Sequence, residues 1–118
     1  MRFTRVHHVS LNVSDLDAAL EFYTGVLEMP VLPRPDFGFP GAWLDAGEQQ
    51  IHLLESAGFE ASDGQHFALQ VDDVAAITAV LESRDVTVSP ASTIDGVCVQ
   101  AFFSDPTGNL IEINQPAR

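Results

Sequence analysis

The chain has 118 residues, 46% of them hydrophobic, which suits one globular domain with a real core and excludes a disordered or low-complexity chain. Seventeen acidic residues face five arginines (Arg2, Arg5, Arg34, Arg84, Arg118) and no lysine, for a formal net charge of −12. A field of that sign repels phosphate backbones and anionic lipid, so no nucleic-acid and no membrane partner is expected.

The single cysteine, Cys98, has no internal disulfide partner and sits in the apolar run Val97-Cys98-Val99, as a buried inert thiol would. No apolar run approaches the ~20 residues of a membrane span, and no cationic start leads into an apolar signal region. A cytoplasmic protein is expected.

In chain order, a strand is expected from about Arg5 to Val13, with Val9, Leu11 and Val13 on one face and His8, Ser10 and Asn12 on the other. Ser14 is the expected helix N-cap, with Asp17 in a capping-box position. Leu16, Leu20, Tyr23 and Leu27 then recur at helical spacing. Met29 to Arg34 is a short strand confined to an edge by its prolines, and Arg34 to Gly41 is a loop carrying Phe37 and Phe39. Two strands follow, Ala42 to Leu44 and Gln50 to Leu54, around a turn at Asp45 to Glu48.

After a polar link at Gly58 to Gly64 the order repeats. A strand from His66 to Val71 precedes a helix from about Asp73 to Arg84, with Val74, Ile77, Val80 and Leu81 as its buried stripe. Strands are expected near Val86 to Val88, from Val97 to Phe103 and from Leu110 to Asn114, the last two joined by a turn at Asp105 to Gly108. Each half therefore reads βαβββ, in modules of about 1–58 and 61–118 within one domain, 1–118.

Duplication explains the repeat. His8 aligns with His66, Leu11 with Leu69, Val13 with Val71 and Asp15 with Asp73. Among the last strands, Ile51-His52-Leu53 aligns with Ile111-Glu112-Ile113, with Trp43 matched to Phe103 and Asp45 to Asp105. Each module thus offers one polar, ligand-type residue on its first strand and one on its last: His8 and His52, then His66 and Glu112. Three imidazoles and a carboxylate form a coherent set for a divalent metal ion such as Zn, Ni, Fe, Mn or Co. His7, of opposite parity, reads as a strand-end residue or one that supports a ligand.

The stretches His8-Val-Ser-Leu-Asn-Val-Ser-Asp-Leu, Phe22-Tyr23, His66-Phe-Ala-Leu-Gln-Val and Phe103-Ser-Asp-Pro-Thr-Gly-Asn-Leu-Ile-Glu112 resemble the vicinal oxygen chelate superfamily. That group includes glyoxalase I, bleomycin-resistance proteins, extradiol dioxygenases, fosfomycin-modifying transferases and methylmalonyl-CoA epimerase. The resemblance covers essentially the whole chain. It implies an α+β fold in which paired βαβββ modules form a cup around a divalent metal, and a homodimer whose sites are shared between chains. His8, His66 and Glu112 fall on its usual ligands, while His52 stands where glyoxalase I commonly has a glutamate.

The reaction implied is that of a glyoxalase-like lyase or isomerase on a small oxygenated substrate or its thiol adduct, with Glu112 moving the proton. A glutathione site would rest on Arg5 or Arg34. Two alternatives stay open: an extradiol-type Fe(II) dioxygenase using His8, His66 and Glu112, and a non-catalytic, bleomycin-resistance-like binder using Phe37, Phe39, Trp43 and Phe102.

Overall fold

A computed structural model describes residues 1–118, which divide into two units, Met1–Glu60 and Ala61–Arg118. In the first, β1 (His8–Val13) leads through α1 (Leu16–Leu20) and a π-helical continuation (Glu21–Val26) to β2 (Val31–Leu32), β3 (Gly41–Ala46) and β4 (Gln49–Glu55). These strands form one sheet in the order β1-β4-β3-β2, with β1 parallel to β4 and the other neighbours antiparallel. Period-two alternation decides its faces. Ala42, Leu44, Ile51 and Leu53 are buried together with Val13, Ala19, Phe22 and Tyr23. Full burial of a large apolar side chain such as Leu44 or Ile51 stabilises by about 1.5–3 kcal/mol.

The helix starts and ends differently from expectation. Asp15, not Ser14, is the N-cap, its carboxylate accepting from Ala18 N at 3.1 Å. At the other end Leu27 N donates to Phe22 O, five residues back, at 3.0 Å. That wider turn closes the helix before the chain leaves for the next strand. Ala19, Phe22 and Tyr23 fill the interior, whereas Leu16, Leu20 and Leu27 of the expected stripe are only half-buried.

The second unit repeats this plan with β5 (His66–Gln70), α2 (Val74–Ser83), β6 (Ser92–Ile94), β7 (Cys98–Ser104) and β8 (Leu110–Pro116), ordered β5-β8-β7-β6. Asp73 caps α2 by accepting from Ala76 N, as Asp15 caps α1. The next N–H is also served in both units: Leu16 N donates to Glu55 of β4, and Val74 N to Gln115 of β8. Of the expected α2 stripe, Val74 and Leu81 are buried, while Ile77 and Val80 are 36% and 42% exposed.

Val86 to Val88 do not form a strand. Asp85 takes a left-handed conformation (φ 65°), and Asp85 N and Val86 N donate to the carbonyls of Glu82 and Leu81. This Schellman-type cap uses Val86 to close the helix, and Val88 is buried beyond it. The edge strand forms later, at Ser92–Ile94.

The expected match of Trp43 with Phe103 is also corrected. Trp43 lies opposite His52, but the residue opposite Glu112 is Phe102. The hairpins differ in length: Ala46 pairs with Gln49, whereas Ser104 pairs with Leu110 across a turn closed by Asp105, whose carboxylate accepts from Thr107 N and Asn109 N. A slip of one residue exchanges the faces of a strand. Phe103 accordingly lies in the core, 3% exposed, and Asp45 corresponds in register to Ser104 rather than to Asp105.

Candidate metal centre

In the second unit, parallel register sets Ala68 beside Glu112 and His66 beside Leu110, so His66 and Glu112 project from the same face. Their side chains meet, with Nε2 of His66 3.2 Å from Oε1 of Glu112. His66 Nδ1 lies 2.8 Å from the carbonyl oxygen of Gly64. A carbonyl only accepts, so Nδ1 carries the hydrogen, and a neutral ring then presents a lone pair at Nε2. Glu112, buried, has its other oxygen fixed by Asn114 Nδ2 at 2.7 Å. With the ring neutral, two acceptor atoms face one another across a gap that a proton or a cation would bridge. A backbone acceptor on the far nitrogen of a histidine is also the usual way a ligand ring is oriented.

In the first unit, register places His8 beside Gln50 and Ser10 beside His52, again on one face. His52 is sandwiched: its ring stacks on His8 at 4.0 Å between centroids and on Trp43 at 4.4 Å. Its Nε2 lies 2.8 Å from Gln50 Oε1, so it donates there and keeps its lone pair on Nδ1. Burial, with the nearby His8, His7 and Arg34, holds the His52 pKa below its ordinary value. A neutral imidazole is the form that ligates. Stacked rings send their in-plane lone pairs along parallel lines, so an ion shared by His8 and His52 requires one ring to turn. His7 sits just before β1 with its Nδ1 2.9 Å from that of His8, which suits a residue that orients its neighbour.

The donors therefore come in twos, one pair per unit, and no group of three or more His, Cys, Asp or Glu side chains gathers at ligand spacing. The donor types and the lone-pair arrangement at His66 and Glu112 fit a borderline divalent cation. Gln50, Gly64 and Asn114, which fix the donors, were not singled out from sequence. A signal existed: Gln50-x-His52 and Glu112-x-Asn114 put the supporting amides two residues away, on the same strand face.

Beside the first pair lies a cleft of about 370 Å³, lined in part by His8, Arg34, Phe37, Phe39, Trp43 and His52. Phe37 stacks on Phe39 at 5.9 Å and approaches Trp43 at 6.0 Å. The loop phenylalanines thus belong to this wall. Cys98 is free and buried, as expected. No helix is long and apolar enough to cross a membrane.

Two sheets of four strands with two helices, built from repeated βαβββ units with polar donor pairs on one face of each, define the glyoxalase-like α+β class. The sequence profile of the Glyoxalase/Bleomycin resistance protein/Dioxygenase superfamily matches residues 5–113, and the chain belongs to that family. It is 32% identical over 122 residues to the lactoylglutathione lyase of Salmonella typhimurium, covering 92% of this chain and 90% of that one. Among solved structures it resembles the glyoxalase family protein from Enterococcus faecalis, with TM-score 0.82, 28% identity and 97% and 99% of the two chains covered. It also resembles TnmS3, an antibiotic binding protein from Streptomyces sp. CB03234, with TM-score 0.79, 29% identity and 99% of each chain covered.

Proposed function

We propose that the protein is a metal-dependent, glyoxalase-like lyase or isomerase whose divalent cation is held by His8, His52, His66 and Glu112, with both module pairs contributing to each site of a homodimer. The observation that carries this reading is the 3.2 Å approach of His66 Nε2 to the Glu112 carboxylate, with the far atoms of both side chains already anchored by Gly64 and Asn114. The similarity to lactoylglutathione lyases supports a small substrate with oxygens on adjacent carbons, free or as a thiol adduct. When bound, the cation supplies Lewis-acid stabilisation of negative charge developing on the substrate oxygens.

The chain's own groups do the rest. Glu112 would accept the proton from the carbon beside the carbonyl and deliver it to the former carbonyl carbon, while Asn114 holds its second oxygen. His66 keeps its orientation through Gly64. The test is deuterium wash-in at that carbon, followed by NMR in D2O over 2-hydroxycarbonyl compounds and their thiol adducts, lactoylglutathione included. Exchange is expected with an added divalent metal and is expected to vanish in Glu112→Gln. No exchange with Zn, Ni, Fe, Mn or Co would refute the reading.

The aromatic cleft and the likeness to an antibiotic binding protein favour a second reading, a binder without chemistry. Protein that is metal-free as purified and takes up no metal would select it.

A further inference from the structure

The cleft beside β3 and β4 has an aromatic wall that extends past His8 and His52 to residues a metal site does not need. His8, His52, Trp43, Phe37 and Phe39 form a continuous series of ring contacts along one side. Phe37 and Phe39 remain 50% and 46% exposed, costly positions for two aromatic rings in a loop whose turn chemistry does not call for them. The guanidinium of Arg34 lies over both, 4.9 Å from the Phe37 centroid and 5.1 Å from that of Phe39.

Arg34 has a prepared seat. A Cβ on Gly41 would lie 2.8 Å from Arg34 Nη2 and 2.5 Å from the Leu53 carbonyl oxygen, so the glycine leaves the space that the guanidinium occupies. In a chain with 17 acidic residues, Arg34 makes no salt bridge. Stacking uses the face of a guanidinium and leaves its in-plane N–H donors free for a carboxylate. The result is an unneutralised cation at the rim of an aromatic cleft of about 370 Å³, a size that suits a small ligand.

We propose that this cleft binds a planar aromatic ligand carrying an anionic group, with Phe37, Phe39 and Trp43 against its π-face and Arg34 on the anion. The proposal rests on the second reading above, in which this cleft holds a ligand, and it names the ligand class of that cleft. Arg34 then sets specificity, selecting aromatic acids over neutral analogues, and the stacked rings select planar over flexible ligands.

The experiment uses full-length protein in EDTA, so that it is independent of metal binding. Calorimetric titration compares three probes: 2-naphthoate, 2-naphthalenemethanol and octanoate. Naphthoate is expected to bind at least tenfold more tightly than either of the others. Arg34→Gln is expected to remove most of that advantage over the alcohol while changing alcohol affinity less than twofold, and Phe39→Leu to weaken both aromatic probes at least threefold. Trp43 is the only tryptophan, so a shift of its indole N–H resonance on adding naphthoate places the ligand in the cleft even if a variant folds poorly. Equal affinity for octanoate and naphthoate, an unchanged affinity in Arg34→Gln, or an unmoved indole resonance would each overturn the proposal. A failure here with metal binding intact would leave the catalytic reading standing, and the reverse holds.

Discussion

His66 Nε2 and Glu112 Oε1 face one another at 3.2 Å. The Gly64 carbonyl holds the ring hydrogen on the far nitrogen, and Asn114 holds the far carboxylate oxygen. Ring and carboxylate are thus oriented before anything joins them, which is the preorganisation a ligand pair needs.

Asn114 should matter for binding and little for folding. Removing an amide that orients a ligand carboxylate typically weakens metal affinity about 10–100-fold. Asn114→Ala is expected to show that loss in a competition titration with a chromophoric chelator, with an unchanged circular dichroism spectrum. An affinity within twofold of wild type would remove the orienting role.

His52 gives the metal-free protein a pH dependence. Its pKa is depressed in the fold, so the unfolded chain binds its proton more readily and stability rises with pH across the window. In EDTA, that contribution is full above the ordinary value of 6.5 and is lost as pH falls through it toward the depressed folded value. Urea midpoints measured from pH 7.5 to 5 are expected to fall, and to fall less in His52→Phe. Parallel curves for the two proteins would argue against it.

The same residue shows what the sequence reveals. His8, His52, His66 and Glu112 stand out through strand parity and internal repetition, and the structure pairs His66 with Glu112 and stacks His8 on His52. The order of elements along each module follows from the βαβββ repeat, while the order of strands within each sheet comes from the structure. What the sequence hides is local. The buried face of the first helix runs through Ala19, Phe22 and Tyr23, at i, i+3 and i+4, whereas the leucines at 16, 20 and 27 offered a second apolar stripe of the same period. Val86 to Val88 looks like a strand because it is β-branched, yet it follows a helix cap formed through the positive φ of Asp85. The unequal hairpins move the equivalent of Trp43 from Phe103 to Phe102, a difference that aligned turns cannot show.

The cap at Asp85 is improvable. An L-residue held at φ 65° is in the left-handed region that glycine adopts freely. Asp85→Gly is expected to stabilise the protein by about 0.5–1 kcal/mol, less the entropy that glycine adds to the unfolded chain. Guanidinium denaturation measures this, and a loss of stability would contradict the cap.

Gly41 carries the opposite expectation. A methyl group there meets the Leu53 carbonyl at 2.5 Å, a backbone atom that cannot swing aside. Gly41→Ala is expected to cost about 1–3 kcal/mol by overpacking and to displace Arg34 from its seat. Unchanged stability would show that the strand relaxes freely.

Elemental analysis of freshly purified protein, beside His66→Ala and Glu112→Ala, bears most directly on the proposed site. The expected result is about one divalent metal ion per chain in the wild type and little in either variant, with circular dichroism showing that all three are folded. Wild-type protein that carries no metal and takes up none, or variants that retain a full complement, would contradict it.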